Sequence, residues 1–363
     1  MMQRSTPFVF MRGGSSRGPY LRRNDLPEDL NELSAVLISI VGAGHPFNID
    51  GIGGGTAVTT KVAMLSKSDD DWADIDYFFA QVGVEERLVD FKPSCGNILV
   101  GVGPAAIEMG LVEPAGDVTD VKIRAVNTGS LVTERVQTPG GTVRYDGNAA
   151  IDGVPGNAAP IELKFMKVEG SLTSGILPTG KPKEEILGLE VTCMDVAMPM
   201  VIGRAEDFGV TGYESATDLD ANKPLFEKME AVRLIAGERM GLGDVTKSVT
   251  PKFGLLAAAR DGGSACVRYF MPWKCHPTLA VTGSQCLASC LLMSGTIGEG
   301  FLAPMPQSPA NLRLEHPMGN MEVVIDYEHQ GRDFHVKSAG LLRTARKLAS
   351  GDVFVPGDIW SRD

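Results

Sequence analysis

Two short stretches of the sequence decide the fold. The first reads Cys95-Gly96-Asn97-Ile98-Leu99-Val100, and the second reads Thr282-Gly283-Ser284-Gln285-Cys286-Leu287-Ala288. Each follows a turn-rich strand and begins with small or polar residues before an almost wholly apolar run. A helix that is apolar all round belongs inside a core, surrounded by its own domain. Two such helices in one chain therefore predict two similar domains.

Outside these two stretches the sequence predicts mainly strands. The 43 glycines and 22 prolines are spread along the chain and punctuate short β-branched runs, such as residues 121–126 and 321–326. Pro104 falls inside one predicted helix, where a kink is expected. The predicted helices are Glu28–Val41, Asn97–Met109, Asn222–Gly237 and Ser284–Ser294.

The length of 363 residues also favours two domains, at roughly 100–200 residues each. A polar stretch punctuated by proline and glycine, residues 177–183, separates two apolar-rich halves. We expect domains at 1–182 and 183–363, with a last strand that can return to the first domain. Small-molecule sites often lie at domain interfaces, so a functional site is expected between the halves.

Composition narrows the class of protein. A formal net charge of -11 disfavours a nucleic-acid partner, because phosphate binding needs a dense basic surface. No signal-peptide core and no apolar run of membrane-spanning length is present, so no membrane partner and a cytoplasmic location are expected. The six cysteines form no Cys-x-x-Cys pair, which predicts reduced thiols rather than disulfides or a metal site.

Cys95 stands at the start of an apolar helix, directly before Gly96 and Asn97. A helix N-terminus lowers the pKa of a thiol and offers free backbone N–H groups to an anion. Cys95 is therefore a candidate thiolate base or thiol acid. The alternative is a buried, inert cysteine.

A glycine-rich stretch, residues 51–55, leads to Lys61 but lacks the Gly-Lys-Ser/Thr ending of a phosphate loop, which argues against a nucleotide site. Its glycines would let backbone approach a ligand closely. If Lys61 is desolvated, its pKa falls and it can remove a carbon-bound proton. The alternative is an ordinary solvated lysine.

Residues 12–18, Arg12-Gly13-Gly14-Ser15-Ser16-Arg17-Gly18, follow an apolar strand and place glycines, hydroxyls and two guanidinium groups in one turn. Such groups donate hydrogen bonds to carboxylates, although a plain glycine turn with surface arginines fits equally well. In the second half, Arg268, Lys274 and His276 precede the other apolar helix. They are candidate cationic donors, with a structural histidine as the alternative.

These segments resemble the PrpF-like family of methylaconitate isomerases and oxalomesaconate tautomerases, which belongs with the diaminopimelate-epimerase-like proteins. The resemblance spans nearly the whole chain. It rests on residues 11–18, Asp50-Gly51-Ile52-Gly53-Gly54, Thr60-Lys61-Val62-Ala63, residues 76–82, Cys95-Gly96-Asn97-Ile98-Leu99 and Arg343-Thr344-Ala345-Arg346.

The resemblance implies an α+β fold of two pseudo-symmetric domains, each a curved, barrel-like sheet around a central helix, with the active site between them. It also implies a cofactor-independent isomerase without a metal, in which Lys61 and Cys95 transfer the proton. Relatives with two catalytic cysteines carry one in each domain. Here the second position is Gly283 or Ser284, so a two-thiol racemase is not expected.

The resemblance further implies a small unsaturated di- or tricarboxylate as substrate, 4-oxalomesaconate first and 2-methylaconitate as the alternative. A catalytically silent polycarboxylate-binding protein is the competing hypothesis of another class. The fold is compatible with a homo-oligomer. The predicted substrate-binding residues are Arg12, Gly13, Gly14, Ser15, Ser16, Arg17, Gly53, Gly54, Thr60, Gly96, Asn97, Ile98, Arg268, Lys274, His276, Thr282, Gly283 and Ser284.

Overall fold

The computed structural model describes residues 3–271, 273–330 and 333–360, and the chain divides into two units. The first unit is Met1–Lys164 with Leu342–Asp363, and the second is Phe165–Leu341. The division thus falls at residue 164/165 rather than 182/183, and the end of the chain belongs to the first unit. Residues 177–183 belong to the second unit, where the carbonyl of Pro182 accepts a hydrogen bond from Thr192 Oγ1 at 2.6 Å.

Sixteen strands are found in the described residues. They are β1 (Arg4–Gly13), β2 (Ser16–Arg22), β3 (Lys61–Lys67), β4 (Ile75–Val82), β5 (Val89–Asp90), β6 (Val118–Ala125), β7 (Ser130–Gln137), β8 (Pro160–Met166), β9 (Glu184–Ile186), β10 (Leu189–Asp195), β11 (Pro199–Arg204), β12 (Lys252–Ala257), β13 (Ala265–Phe270), β14 (Ala310–His316), β15 (Gly319–Gln330) and β16 (Asp333–Val355).

The helices are α1 (Leu30–Val41), α2 (Gly96–Leu99), α3 (Val102–Glu108), α4 (Ala216–Asp220), α5 (Lys223–Arg239) and α6 (Val281–Leu292). This strand-rich composition confirms the predicted α+β class. Among the described residues, no helix combines the length and the apolar character needed to cross a membrane.

In the first unit the strand order is β1-β2-β3-β4-β6-β7-β8, with β5 beside β4 and the end of β16 beside β1. Helix α1 covers one face of this sheet through buried residues such as Val36 and Leu37, which cluster with Val62 and Met64 of β3. Helices α2 and α3 pack against strands of the same sheet, including β1 and β3. The neighbours of Val62 and Met64 on the other face of β3, Ala63 and Leu65, are also fully buried.

In the second unit the order is β9-β10-β11-β12-β13-β14-β15-β16. Helix α6 packs against β10, β11, β14 and β15, and α5 packs against β9 and β12. Every residue of α6 from Gly283 to Leu292 is buried, so the prediction of a fully buried second helix is confirmed. Cys286 and Cys290 of this helix are free thiols without solvent exposure.

The prediction of one helix over Asn97–Met109 was wrong, because the chain forms two short helices there. Gly101 separates them and serves as the N-cap of α3. Pro104 is then the third residue of α3, in the first turn, where a missing N–H leaves no intrahelical hydrogen bond unmade. A Cβ at Gly101 would lie 2.3 Å from Tyr20 Oη, so the break also lets a tyrosine approach the backbone.

The other three predicted helices differ from prediction only at their ends, and the short helix α4 was not predicted. Helix α1 begins at Leu30 because the Asp29 carboxylate caps it, accepting from the N–H groups of Asn31 and Glu32 at 2.9 Å. Asn222 is the N-cap of α5, and α6 starts three residues before Ser284. The predicted strands at 121–126 and 321–326 overlap β6 and β15.

The backbone of β2 lies very close to the backbone of β3 at Gly18, and a substitution there tests this packing. A Cβ at Gly18 would lie 1.8 Å from the backbone oxygen of Lys61, whereas a Cβ at Gly351 would meet nothing within 4 Å. We expect Gly18→Ala to lower the free energy of unfolding by about 1–3 kcal/mol, since backbone cannot move aside as a side chain can. Urea unfolding should show the loss in Gly18→Ala and not in Gly351→Ala. Equal stability of the two variants would contradict this packing.

Candidate active site

Lys61 is held in the first unit by the neighbouring strand. It is the first residue of β3 and pairs in register with Gln81 of β4. Its ammonium donates to Gln81 Oε1 at 2.7 Å and lies 5.4 Å from the centre of the Phe79 ring. Lys61 is half-buried rather than fully solvated, so its nitrogen has a fixed position on one face of the sheet.

Gln81 is itself fixed, which gives the lysine a rigid partner. Its Nε2 group lies 3.2 Å from the carbonyls of Ala57 and Val82 and from Thr60 Oγ1. With the amide nitrogen facing these acceptors, the amide oxygen faces Lys61. This residue was not among the predicted site residues, and its place opposite Lys61 becomes visible only once the strand register is known.

Cys95 is the N-cap of α2, as the sequence predicted, and is half-buried. Its carbonyl accepts a hydrogen bond from Tyr77 Oη at 3.3 Å. The carbonyl of Ile98, one turn on, accepts from Tyr20 Oη at 2.5 Å. Two buried tyrosines therefore anchor the backbone of this four-residue helix, which is too short to stand on its own hydrogen bonds.

Strand β4 connects the lysine to the cysteine. Tyr77, Phe79 and Gln81 alternate along β4 and so point to the same face. The Tyr77 and Phe79 rings lie 6.3 Å apart between centroids, one contacting the backbone of Cys95 and the other facing the Lys61 ammonium. The Lys61 ammonium and the backbone of Cys95 thus lie against the same face of β4, which brings a lysine and a cysteine, two residues suited to proton transfer, beside one strand.

The turn between β1 and β2 packs directly on the next residues of α2. Asn97 Oδ1 accepts a hydrogen bond from the backbone N–H of Ser15 at 3.3 Å. A Cβ at Gly13 would lie 2.4 Å from the Asn97 carbonyl oxygen, and one at Gly14 would lie 2.2 Å from Asn97 Oδ1. Gly14 also has a positive φ of 51°. Both glycines are therefore required by backbone packing.

Ser16 lies on the same face of the hairpin as Gly13, its partner in register. The residue is 4% exposed, and its hydroxyl is buried with no hydrogen-bond partner among the described residues. A buried hydroxyl without a partner is costly, so it is available to a ligand. Thr60 differs, because its buried hydroxyl already donates to the Val82 carbonyl at 2.8 Å.

Arg12 and Arg17 point away from this face. They pair with each other across β1 and β2 and alternate with Gly13 and Ser16, so their side chains leave the opposite face of the hairpin. Arg12 Nη1 donates to the carbonyls of Gly14 and Thr344, each at 2.8 Å. The structure therefore does not bring these guanidinium groups to the face that carries Lys61.

The glycine-rich loop is organised by Asn48, which sequence reasoning missed. Asn48 is buried with a positive φ of 49°. Its Nδ2 lies 3.2 Å from the carbonyls of Gly42, His45 and Val84, and its Oδ1 accepts from Gly55 N at 2.7 Å. The only signal of this role in the sequence is that Asn48 comes just before Asp50-Gly51, among residues typical of turns.

Gly53 and Gly54 of the same loop are required by packing. A Cβ at Gly53 would lie 2.7 Å from Asn48 Oδ1, and a Cβ at Gly54 would lie 2.6 Å from Arg17 Nη2.

In the second unit the predicted binding residues have mostly internal partners. Arg268 is buried and donates to the carbonyls of Glu214 and Val267 at 2.9 Å. His276 Nδ1 accepts from Thr278 N at 3.0 Å, and burial lowers its pKa. Ser284 Oγ donates to the Val281 carbonyl at 2.7 Å within α6.

The remaining three residues of that set differ in exposure. Lys274 is exposed, and Thr282 is half-buried in the first turn of α6. A Cβ at Gly283 would lie 2.2 Å from the Tyr269 ring, so this glycine is required by packing. Substrate binding by residues of the second unit stays a prediction.

A buried carboxyl group binds the backbone of the helix that follows the Cys95 segment. Glu134 of β7 is fully buried, and its Oε2 accepts from the N–H of Gly103 in the first turn of α3 at 2.5 Å. Burial raises its pKa well above the usual 4.5. Burial likewise raises the pKa values of Tyr20 and Tyr77, so both hydroxyls remain neutral donors. Sequence reasoning missed Glu134, which sits in an ordinary alternating strand.

A fixed lysine and a half-buried cysteine beside one strand of an α+β unit are the residue types that acid–base enzymes use. Residues 3–356 match the protein family described as PrpF protein, and this chain belongs to the PrpF family. The family predicted from the sequence motifs is thereby confirmed.

The similar proteins carry isomerase names. A (4E)-oxalomesaconate Delta-isomerase of Novosphingobium sp. (strain KA1) is 46% identical over 97% of this chain and 98% of its own. A 4-oxalomesaconate tautomerase of Pseudomonas putida is 43% identical over 99% of both. A 2-methyl-aconitate isomerase of Shewanella oneidensis is 29% identical over 96% of both.

A crystal structure of methylitaconate-delta-isomerase superposes with a TM-score of 0.90 at 29% identity, covering 99% of this chain and 98% of that one. The predicted fold class and the prediction of an isomerase are confirmed by these similarities.

The pH dependence of stability tests whether Glu134 is protonated in the folded protein. The folded protein keeps this group protonated, whereas the unfolded chain releases the proton above pH of about 4.5, so its contribution to stability falls as pH rises. Glu134→Gln keeps an acceptor for Gly103 and removes the titration. We expect the stability of the variant relative to wild type to rise by about 1.4 kcal/mol per pH unit above 4.5, up to the raised pKa.

Urea unfolding at several pH values between 5 and 8 measures this difference. Glu85→Gln, at an exposed loop position, is the control for loss of a surface carboxylate. A difference between Glu134→Gln and wild type that stays constant with pH would show that Glu134 is not held protonated.

Proposed function

We propose that this isomerase moves a proton on an unsaturated tricarboxylate, with 4-oxalomesaconate as the substrate. The reaction is a keto–enol tautomerisation or a 1,3-allylic shift. Support comes from two relatives, at 46% and 43% identity, that are named for oxalomesaconate and align over almost their whole length. The observation that carries the chemistry is that the Lys61 ammonium lies beside Phe79 of β4 while the backbone of Cys95 contacts Tyr77 on the same face of that strand.

In the proposed mechanism Lys61, in its amine form, removes a carbon-bound proton next to a carbonyl or along the conjugated acid. The electron pair left behind delocalises into an enolate or dienolate. Cys95 then returns a proton, at oxygen for the tautomer or at the distal carbon for the allylic isomer. One C–H bond is broken and one C–H or O–H bond is formed, so the reaction needs no oxidant or reductant.

The surroundings of the two groups suit these roles. Gln81 gives the Lys61 nitrogen a fixed position, and the Tyr77 and Tyr20 hydroxyls fix the carbonyls at the start of α2. Pre-set positions matter because a reacting group must be near its attack geometry before the reaction begins. Cys95 is the N-cap of α2, directly before the backbone N–H groups of Gly96 and Asn97.

Substrate carboxylates would be held by donors on the same face. The Ser16 hydroxyl lacks a partner, and the backbone of Gly96 and Asn97 lies in the first turn of α2. Ser15 adds an exposed hydroxyl on the turn that packs on Asn97. Such donors also stabilise the charge that develops on an enolate oxygen.

A panel of unsaturated acids in deuterated water, followed by proton NMR, tests the substrate. We expect 4-oxalomesaconate to exchange its allylic protons and to be converted faster than 2-methylaconitate or 3-methylitaconate. Faster conversion of 2-methylaconitate would transfer the assignment to that substrate. Binding of 4-oxalomesaconate without any exchange would contradict catalysis of its isomerisation.

The roles of the two groups are tested by Lys61→Met and Cys95→Ala. Removing a general base or acid typically costs about 10²–10⁴-fold in rate, so we expect kcat to fall by that order in each variant while the substrate still binds. Lys67→Met, at the exposed end of β3, is the matched control and should retain wild-type kcat. Unchanged turnover in both site variants would refute the assignment.

A further inference from the structure

Three arginines stand directly opposite one another on three adjacent strands of the first unit. Arg17 of β2 pairs with Arg12 of β1, and Arg12 pairs with Arg346 of β16. Residues opposite in register point to the same face of a sheet, so the three guanidinium groups leave the sheet side by side. We call Arg17, Arg12 and Arg346 the arginine row.

The arginine row lines a cavity of about 500 Å³, within the range of small-molecule sites. Residues 145–158 form the other wall, and this segment is fastened by backbone hydrogen bonds between Ala149 and Ala158. Asp146 is the one carboxylate in the lining, so three cations face one anion. Ser15 and Thr59 add hydroxyl groups to the same wall.

The arginine row is repulsive in the absence of an anion. Like charges placed directly opposite on neighbouring strands destabilise a sheet. Among the described residues, no carboxylate lies within 4.0 Å of a row nitrogen, and the neighbouring charge of Arg346 adds to burial in lowering the pKa of Arg12. In a chain of net charge -11, carboxylates are plentiful, yet Asp146 is the one carboxylate among the described residues of this lining and it forms no ion pair with the row.

We propose that the arginine row binds a compact oxyanion carrying two or more negative charges, such as a phosphate group or a dicarboxylate. Guanidinium groups recognise carboxylate and phosphate oxygens through paired N–H donors. Arg12 and Arg17 leave the opposite face of the hairpin from Gly13 and Ser16, so their guanidinium groups do not face Lys61 and Cys95, and the cavity borders the proposed substrate donors only at Ser15 and Ser16. Its ligand is therefore additional to the molecule that is isomerised.

Isothermal titration calorimetry at low salt, with inorganic phosphate and with succinate, tests the proposal. We expect at least one probe to bind saturably to the wild type and equally well to Lys61→Met. In Arg346→Gln its affinity should fall about tenfold or more, as expected for loss of a charged hydrogen-bonding partner. Arg87→Gln removes an exposed arginine of the same unit that is not in the cavity lining and should bind as wild type does.

Thermal unfolding separates loss of the site from loss of the fold. Without ligand, Arg346→Gln should unfold at the same temperature as wild type or higher, because repulsion within the row is relieved. Phosphate or succinate should raise the unfolding temperature of wild type and not of Arg346→Gln. The probe that loses affinity in Arg346→Gln identifies phosphate or dicarboxylate as the ligand chemistry.

Two results would overturn the proposal. One is the absence of saturable binding of either probe to wild type. The other is binding to Arg346→Gln and to Arg12→Gln with wild-type affinity. Neither result bears on proton exchange at Lys61, so failure of this site leaves the proposed isomerase reaction standing.

Discussion

The contact on which the first unit depends is that between the β1–β2 turn and Asn97. The carboxamide of Asn97 accepts from Ser15 N, and the backbone of Gly13 and Gly14 lies against the same residue too closely for any side chain. This contact joins the turn between two strands of the sheet to the first turn of the helix that Cys95 caps. Because there is no free space between the turn and Asn97, a side chain added on the turn would displace the segment that carries the thiol. The glycines are thus needed for position rather than for flexibility.

Breaking the first buried helix at Gly101 leaves backbone groups that must find partners, and buried polar side chains supply them. Tyr77 and Tyr20 serve the carbonyls of Cys95 and Ile98, and Glu134 serves the N–H of Gly103. The buried helix of the second unit is continuous, and there Ser284 and Ser289 bond to their own helix backbone. The two units therefore use similar apolar helices differently. Side chains from strands hydrogen-bond to the backbone of the broken helix, whereas side chains of the continuous helix bond to its own backbone and to a strand carbonyl. This difference is consistent with a cysteine at the start of one helix only.

Much of the fold and part of the site could be predicted from the sequence. The apolar runs, the glycines and the helix start at Cys95 are local signals, and local physics decides them. What could not be predicted depends on strand register. Gln81 and Glu134 occupy ordinary alternating positions, and only pairing with β3 or packing under α3 gives them a role. The two arginines of the β1–β2 turn were placed with the substrate because they neighbour glycines in sequence, yet neighbours in a strand face opposite ways.

That alternation gives the hairpin two chemically different faces. Toward α2 it presents Gly13, Ser16 and Tyr20, which are neutral, and Tyr20 donates a hydrogen bond to the helix backbone. Away from α2 it presents a row of guanidinium groups whose charge no side chain of the described chain neutralises. The electric field of these charges reaches the opposite face through the protein interior, where the dielectric constant is low. Water and salt therefore screen it only weakly there. An anion bound to the row would therefore reduce the positive potential felt by groups on both faces, which makes the charge state of that row a property of the whole hairpin.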